Sequence, residues 1–372
     1  ALPSHGRGHW FDPSIAHYGH SSEEGGFVSI ATRLKSYVNN SNSALLGAAG
    51  TALHRVASSG GSSIPDARIN LVFALSQPSD PLKKSLPLAP IDVVIPMVEK
   101  DLTCLPLVLS GVDQFCTNPI TRIRIVTPRG KGGNGPILTS PSRKKQWSRL
   151  REEWPRLTVE FDDEVLGKEL WSAIRERKTH GWNIQQLIKF SAVLSAPELG
   201  TLVLDADTVL TQPKSWLDSR GRQLLQVGQV VRPFYTQHFS EFFGFSKSVS
   251  AGFITHHQLM QREILEEMFP QGQRDLIRWL DLAEGSPHMK LSEYDTYGTY
   301  LSSKHADRTR FGSWANLSAS ELHQAVEAGI AQAQLATVGR DYASVSFHSY
   351  HFGNGTPDQG NDLAQVRLTS LS

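Results

Sequence analysis

The sequence predicts an α/β fold built on a mostly parallel sheet with helices on both sides. From residue 91 onward, short apolar runs alternate with longer segments whose apolar residues recur every three or four positions. This alternation is typical of strand–helix–strand units, because parallel strands need a long crossover that is usually a helix. Ligands of such sheets bind beyond the carboxyl ends of the strands, so the site is expected there.

The expected elements follow one another in a regular order. Strands are predicted at 91–96, 120–126 and 157–161 and in the run 201–210, and helices at 101–112, 142–154 and 184–195. A further strand is predicted at 250–254, then a helix that carries Met260, Ile264 and Met268, and finally a helix whose first turn contains Glu293. We place these elements in one domain, residues 91–356.

The two ends of the chain differ from this domain in composition. Residues 1–90 contain two short stretches with helical spacing between segments rich in Ser, Gly and Pro. They predict an accessory, partly helical N-terminal region, for which contact with a membrane or a partner is one interpretation. Residues 357–372 are predicted to be a C-terminal tail.

Composition excludes several classes of protein. The chain has 372 residues, 39% of them hydrophobic, and a net charge of +1, so bulk electrostatics favours neither nucleic acid nor an anionic membrane as partner. No apolar run is long enough to span a bilayer. Cys104 and Cys116 make no disulfide framework, so we expect a reducing compartment. The expected location is cytoplasmic, with peripheral contact at the inner face of the membrane; a luminal location is the alternative if a leader was removed.

Two carboxylates one residue apart end the most apolar predicted strand. Asp205 and Asp207 follow Leu204 directly, and the alternation of strand side chains predicts that both lie on the same side. Two like charges so close together are costly unless a proton or a cation lies between them. A hard divalent ion that also binds phosphate oxygens satisfies this need. A solvated turn is the alternative, because Asp also favours turns.

In this context the chain resembles nucleotide-sugar-dependent glycosyltransferases of the GT-A fold. The residues Asp205-Ala-Asp207 are similar to the DxD metal motif of that family, in the pattern of its glycogenin-like branch. Further similar segments are Val93–Leu102, Gln185–Phe190, Ser250–Ile254, Ser292–Gly298 and Phe347–Gly353. The set also resembles a group of bacterial GT-A-like proteins. The resemblance covers roughly residues 91–356 and implies a Rossmann-like mixed sheet flanked by helices.

The resemblance implies an activity and its substrates. It implies transfer of a sugar from a nucleotide diphosphate sugar, most commonly a UDP-sugar, to a saccharide or glycoconjugate acceptor, as in polysaccharide biosynthesis. It also implies Mn²⁺ or Mg²⁺ as cofactor, which acts as a Lewis acid on the departing phosphate. The hexosyl- or pentosyltransferase class follows from the same resemblance, whereas the sugar and the anomeric outcome stay open.

The resemblance also assigns residues to roles. The expected donor-binding residues are Pro96, Val98, Lys189, Asp205, Ser250 and Gly252. The expected metal ligands are Asp205, Asp207 and a histidine after the last strand, with His351 favoured over His348. The expected catalytic residues are Glu293, Asp295 and Lys189, with Glu293 favoured as the carboxylate that faces the cleft.

Each of these residues also has a structural interpretation. Asp295 stands three residues after Ser292, which is the spacing of a capping box. Lys189 lies at the edge of an apolar stripe and would otherwise extend to solvent. His256 and His257 are further candidates, one of which would contact the acceptor or the diphosphate; a histidine at a helix start that is satisfied by solvent is the alternative. Trp182 either packs in the core or stacks on a sugar ring.

Two other functions are compatible with parts of the sequence. Leu204–Val209 also resembles the first motif of haloacid-dehalogenase-like phosphohydrolases, in which Asp205 would be the nucleophile and Asp207 the acid or base. That family carries the motif on its first strand, whereas here a long α/β segment precedes it. The second alternative is a GT-A-like protein that binds sugar without catalysis.

Overall fold

The computed structural model describes residues 87–130, 136, 138–228, 232–249, 251–284, 291–318 and 342–347. The strands are β1 Ile91–Pro96, β2 Ile120–Thr127, β3 Leu157–Phe161, β4 Gly200–Leu204, β5 Thr208–Leu210, β6 Gln223–Val227, β7 His257–Gln261, β8 Thr309–Ser313, β9 Asn316–Ser318 and β10 Ser344–Ser346. The predicted N-terminal region lies outside the described residues except for 87–90, and the predicted tail lies wholly outside them.

The helices lie between these strands. They are α1 Leu105–Phe115, α2 Pro141–Glu153, α3 Asp162–Leu166, α4 Lys168–Arg177, α5 Gly181–Leu194, α6 Pro233–Phe243, α7 Arg262–Met268, α8 Gln273–Glu284 and α9 Glu293–Lys304. Short 3-10 turns occupy Glu99–Thr103 and Ala306–Arg308. The predicted strands at 91–96, 120–126 and 157–161 and the helices that follow them are confirmed to within a few residues.

The central sheet has five strands in the order β3-β2-β1-β4-β7. The first four are parallel to one another, and β7 runs antiparallel to β4. This mixed α/β sheet flanked by helices confirms the predicted fold class. Because β7 is antiparallel, its first residue, His257, pairs with the last residue of β4, Leu204. The start of β7 therefore lies at the same edge of the sheet as the carboxyl ends of β1 and β4.

The apolar side chains of the sheet divide between two layers, as strand alternation requires. Val94, Val203 and Met260 pack on one face with side chains of α5, α8 and α9. On the other face, Ile95 and Leu204 pack with side chains of α1, β5 and β10. The strands are buried on both faces, which explains why they appear in the sequence as continuous apolar runs.

Smaller sheets extend this edge of the domain. A three-stranded sheet has the order β5-β10-β9, and β6 pairs with β8. In the three-stranded sheet, β10 pairs antiparallel with β5. β5 begins at Thr208, directly after Asp207, so the end of β10 lies beside the paired aspartates. In the part of the chain that the structure describes, no helix combines the length and the apolar character needed to cross a membrane.

Two predictions about residues 250–268 are wrong. The described residues 251–255 form no strand, and Gly252 makes only a single bridge to Gly228. Met260 lies in β7 rather than in a helix, and the helix begins at Arg262. The strand was missed because buried polar residues such as Gln258 interrupt its apolar alternation.

Candidate functional site

The paired aspartates lie in a turn that joins β4 to β5. β4 ends at Leu204, and the Thr208 backbone N–H donates to the Asp205 carbonyl oxygen at 3.0 Å. The Asp205 N–H donates in turn to the carbonyl oxygen of His256 at 2.9 Å. Both aspartates follow the strand instead of belonging to it, so the turn, and not strand alternation, sets the directions of their side chains. Their expected position at the carboxyl edge of the sheet is confirmed.

Lys189 lies between two carboxylates at this edge. Its Nζ is 2.6 Å from Asp205 Oδ1 and 2.5 Å from Glu293 Oε1. Only 2% of the Lys189 side chain is exposed, so the lysine does not extend to solvent. α5 presents Lys189, the end of β4 presents Asp205, and the first turn of α9 presents Glu293. The structure therefore brings together three of the residues that the sequence selected.

The three charges shift one another's pKa values. Burial lowers the pKa of Lys189, but the two carboxylates outweigh burial and hold it above its usual value. Burial would raise the pKa of Asp205, yet Lys189 and His256 hold it below its usual range. Burial raises the pKa of Glu293, although Lys189 opposes that shift. Asp205 and Lys189 are consequently charged at neutral pH.

Asp205 accepts hydrogen bonds from more than the lysine. Tyr294 Oη donates to Asp205 Oδ1 at 3.1 Å, and His256 Nδ1 lies 3.1 Å from Asp205 Oδ2. His256 has a φ angle of 60°, in the left-handed region that a non-glycine residue seldom adopts. The sequence selected His256 as a candidate but not Tyr294. The only sequence signal for Tyr294 is its position next to Glu293 in the first turn of the helix.

Asp295 has different partners from those that its spacing suggested. Ser292 Oγ accepts from the Asp295 backbone N–H at 3.3 Å, so Ser292 caps α9 as expected. The Asp295 carboxylate, however, accepts from Lys247 Nζ at 2.8 Å and from the Phe253 backbone N–H at 3.1 Å. Its side chain connects α9 to the segment before β7, instead of completing a capping box.

The turn after β1 forms another wall of the site. β1 ends at Pro96, and the Val98 N–H donates to Asp101 Oδ2 at 3.0 Å. Burial raises the pKa of Asp101 to about 6, and the negative charges of Asp207 and Asp205 add to the rise. Sequence reasoning did not single out Asp101. Burial is the main cause of this shift, and the smaller contributions of Asp207 and Asp205 show that their negative charges lie close to Asp101.

This accumulation of negative charge fits the expected divalent ion. Asp207 supplies carboxylate oxygens, the ligands that Mg²⁺ and Mn²⁺ accept. Both oxygens of Asp205 accept hydrogen bonds, and Asp207 Oδ1 accepts one from Thr208 Oγ1 at 3.4 Å. Among the described residues no group of three or more His, Cys, Asp or Glu side chains forms a metal site. The expected histidine ligands, His348 and His351, lie outside those residues.

The chain nevertheless approaches Asp207 just before these histidines. The Phe347 backbone N–H donates to the Asp207 carbonyl oxygen at 2.8 Å, one residue before His348. Ser250 also lies outside the described residues. Its neighbour Gly252 accepts a hydrogen bond through its carbonyl oxygen from the Gly228 N–H at 2.8 Å.

Two aromatic candidates have structural partners. Trp182 lies in the first turn of α5, and its Nε1 donates to the Leu291 carbonyl oxygen at 2.7 Å. Asn183 Oδ1 accepts from the Leu291 N–H at 2.9 Å. Trp182 and Asn183 thus hold the residue that precedes Ser292. His257 is fully buried in β7, on the face that packs against Trp216 rather than toward Asp205.

The geometry favours binding over nucleophilic chemistry at Asp205. A nucleophilic carboxylate needs one oxygen directed at the reacting phosphorus. Asp205 instead has Lys189 and Tyr294 on one oxygen and His256 on the other. Among the strands that the structure describes, it also follows the fourth rather than the first. Both observations argue against the phosphohydrolase interpretation.

Comparisons with known proteins gave structural matches only. No protein-family model and no curated protein matches the chain. Xyloside xylosyltransferase 1 from mouse is 12% identical, over 70% of this chain and 98% of its own, with a TM-score of 0.39. Galactosyltransferase LgtC is 11% identical, over 76% of this chain and 95% of its own, with a TM-score of 0.37. Mannosyltransferase Ktr4p from S. cerevisiae is 8% identical, over 74% of this chain and 80% of its own, with a TM-score of 0.38. Matches of this degree assign no activity to the chain.

Proposed function

We propose that the chain is a metal-dependent glycosyltransferase that moves a sugar from a nucleotide diphosphate sugar, most commonly a UDP-sugar, to a saccharide or glycoconjugate acceptor. The observation that carries this proposal is the buried Lys189, held between Asp205 and Glu293 where β4 ends. Lys189 holds the two carboxylates in fixed positions at that strand end. The two carboxylates offer acceptors for sugar and ribose hydroxyl groups.

The proposed cofactor is Mn²⁺ or Mg²⁺. Asp207 would hold the ion directly, Asp205 would support it from the same turn, and His351 or His348 would add a nitrogen ligand. When bound, the ion supplies Lewis-acid stabilisation of the charge that develops on the departing diphosphate. The proximity of Asp101 to Asp207 and Asp205 supports this placement, because a cation would offset the repulsion among these carboxylates.

The remaining residues of the site would bind and orient the donor. Pro96 and Val98, at the end of β1, would contact the nucleotide. Gly252, whose carbonyl oxygen accepts from the Gly228 N–H, would lie beside the donor sugar. Ser250 precedes this glycine and would contribute to the same wall.

Glu293 is proposed as the carboxylate of the reacting centre. Only 2% of its side chain is exposed, and Lys189 holds its Oε1. A carboxylate fixed in this way suits electrostatic stabilisation of an oxocarbenium-like state or orientation of the acceptor. It suits abstraction of a proton from a mobile hydroxyl group less well, because the base would first have to break an ion pair.

A binding experiment tests the proposal. The thermal unfolding midpoint of the whole chain is measured with a set of nucleotide sugars, with and without Mn²⁺. A ligand at about 100 times its Kd should add about 2.7 kcal/mol of stability. Asp207→Ala should abolish the part of this stabilisation that depends on Mn²⁺. Asp281→Ala, which removes a half-exposed carboxylate paired with Arg177, is the matched control.

Each other outcome has a definite meaning. A wild-type chain that responds to no nucleotide sugar with Mn²⁺ contradicts the proposal. Manganese-dependent binding without transfer or hydrolysis of the sugar favours the GT-A-like binding protein without catalysis. Release of phosphate from simple phosphomonoesters favours the phosphohydrolase.

A further inference from the structure

The first turn of α9 binds three different parts of the site through three consecutive side chains. Glu293 binds Lys189 of α5, and Tyr294 binds Asp205 at the end of β4. Asp295 binds Lys247 and the backbone of Phe253, in the segment that precedes β7. Glu293 and Tyr294 thus contact the cluster around Lys189, whereas Asp295 contacts the segment before β7.

The buried surroundings of Asp295 are those of a structural junction. Asp295 and Lys247 are each 5% exposed, and their charges lie 2.8 Å apart. The same oxygen of Asp295 accepts the Phe253 N–H at 3.1 Å. A buried ion pair that also satisfies a backbone N–H holds a fixed geometry, because either partner left alone would be an uncompensated buried charge.

A second, independent observation concerns Gly298, one helical turn after Asp295. A Cβ atom at Gly298 would lie 2.5 to 2.8 Å from side-chain atoms of Phe253. Phe253 is fully buried, and Lys247 Nζ lies 4.8 Å from the centre of its ring. The absence of a side chain at Gly298 therefore lets the Phe253 ring pack against the helix. We call Asp295, Gly298 and Lys247 the Phe253 seat.

The chain that leaves the Phe253 seat enters the site within three residues. His256 accepts the Asp205 N–H through its carbonyl oxygen, and its ring contacts Asp205 Oδ2. The left-handed backbone of His256 persists only if the chain is held on both sides. The contacts with Asp205 hold it on one side, and the Phe253 seat holds it on the other.

We propose that Asp295 is a positioning residue whose Phe253 seat fixes residues 251–256, and through them Gly252 and His256, at the donor-binding site. This proposal rests on the proposed function and refines it, since Asp295 then orients the donor wall and takes no part in the reacting centre. The seat would set the affinity for the nucleotide sugar by keeping that wall in place before the ligand arrives.

The test compares variants of α9 in the whole chain. Asp295→Asn removes the charge that binds Lys247, and Gly298→Ala places a methyl group against Phe253. Tyr300→Phe is the matched control, because it removes a hydrogen bond from α9 to Glu267 outside the seat. For each variant, hydrogen exchange across 251–256, the Kd of a nucleotide sugar with Mn²⁺, and the turnover are measured.

We expect exchange across 251–256 to accelerate about tenfold or more in both seat variants, and the donor Kd to rise about tenfold. In Tyr300→Phe, the exchange rate and the donor Kd should each change by less than about twofold, and the unfolding midpoint should stay close to that of wild type. A loss of turnover in Asp295→Asn with exchange and donor Kd unchanged would overturn the proposal, since Asp295 would then act on the reacting atoms. If wild type binds no nucleotide sugar, the proposed function fails, but the exchange data still decide whether the seat holds the segment.

Discussion

Lys189 and Glu293 form an ion pair in which Nζ and Oε1 lie 2.5 Å apart and each side chain is only 2% exposed. The pair joins the middle of α5 to the first residue of α9. Because Lys189 also binds Asp205, one ammonium group sets the relative position of two helices and the end of β4. Such a buried cation is expensive to desolvate, and its two carboxylate partners compensate for that cost.

Lys189→Met should therefore be strongly destabilising. Removing one partner of a buried pair leaves an uncompensated charge and typically costs about 3–5 kcal/mol. Urea unfolding at neutral pH measures the loss. The double variant Lys189→Met/Glu293→Gln should regain part of it, because the carboxylate that lost its partner becomes neutral. A loss below about 1 kcal/mol in the single variant would mean that the pair contributes little to the fold.

Trp182→Phe tests whether the indole holds the chain before α9. The substitution keeps an aromatic ring but removes the hydrogen bond from Nε1 to the Leu291 carbonyl oxygen. Leaving that acceptor unsatisfied should cost about 1–3 kcal/mol of unfolding free energy. The Kd for a nucleotide sugar should change by less than about threefold, since Trp182 then has no direct contact with the ligand. A large loss of affinity at unchanged stability would instead support stacking on the sugar.

Asp101→Asn should change how stability depends on pH. Burial raises the folded-state pKa of Asp101 from 3.8 to about 6, so the folded state binds the proton more tightly than the unfolded chain. The stability that this adds is fully present below pH 3.8 and is lost as the pH rises through about 6. Asparagine stays neutral and can still accept from the Val98 N–H.

The variant should therefore gain about 1–3 kcal/mol relative to wild type at pH 8, and the gain should vanish toward pH 4. Chelator is present throughout, so that metal ions do not stabilise the carboxylate. Asp113→Asn is the control for loss of one negative charge, since that half-exposed residue binds Arg156 at the surface. Equal pH profiles for wild type and Asp101→Asn would contradict the prediction.

The central sheet was predictable because its strands are buried on both faces. Continuous apolar runs such as Ile91–Pro96 have few other interpretations when helical spacing follows them. The strand β7 was not predictable in the same way. His257, Gln258 and Gln261 are polar yet buried, so the apolar signal was lost, and Met260 happens to continue the spacing of α7. Tertiary packing, rather than local preference, forms this strand.

The candidate site divides along similar lines. Asp205 was selected from the sequence because two close carboxylates need a cation or a proton, whereas Lys189 and Glu293 were selected because their segments resemble those of GT-A glycosyltransferases. The sequence could not show which partners they have, because Lys189 and Glu293 are 104 positions apart. Asp295 illustrates the limit: its spacing from Ser292 predicted a local cap, but a segment over 40 positions away supplies its partners, at Lys247 and Phe253.

His256 offers a final prediction, because its backbone and its ring can be tested separately. At a φ angle of 60°, glycine is relaxed, whereas a β-branched residue is strained. His256→Val should therefore be less stable than His256→Gly by about 1–2 kcal/mol, as urea unfolding would measure. Both variants lack the ring that contacts Asp205 Oδ2. Calorimetry should show that both bind a nucleotide sugar about tenfold more weakly than wild type, since Asp205 loses a partner that orients it. Equal stability of the two variants would mean that the chain leaves the left-handed conformation without cost. Wild-type affinity in both would remove His256 from the donor site.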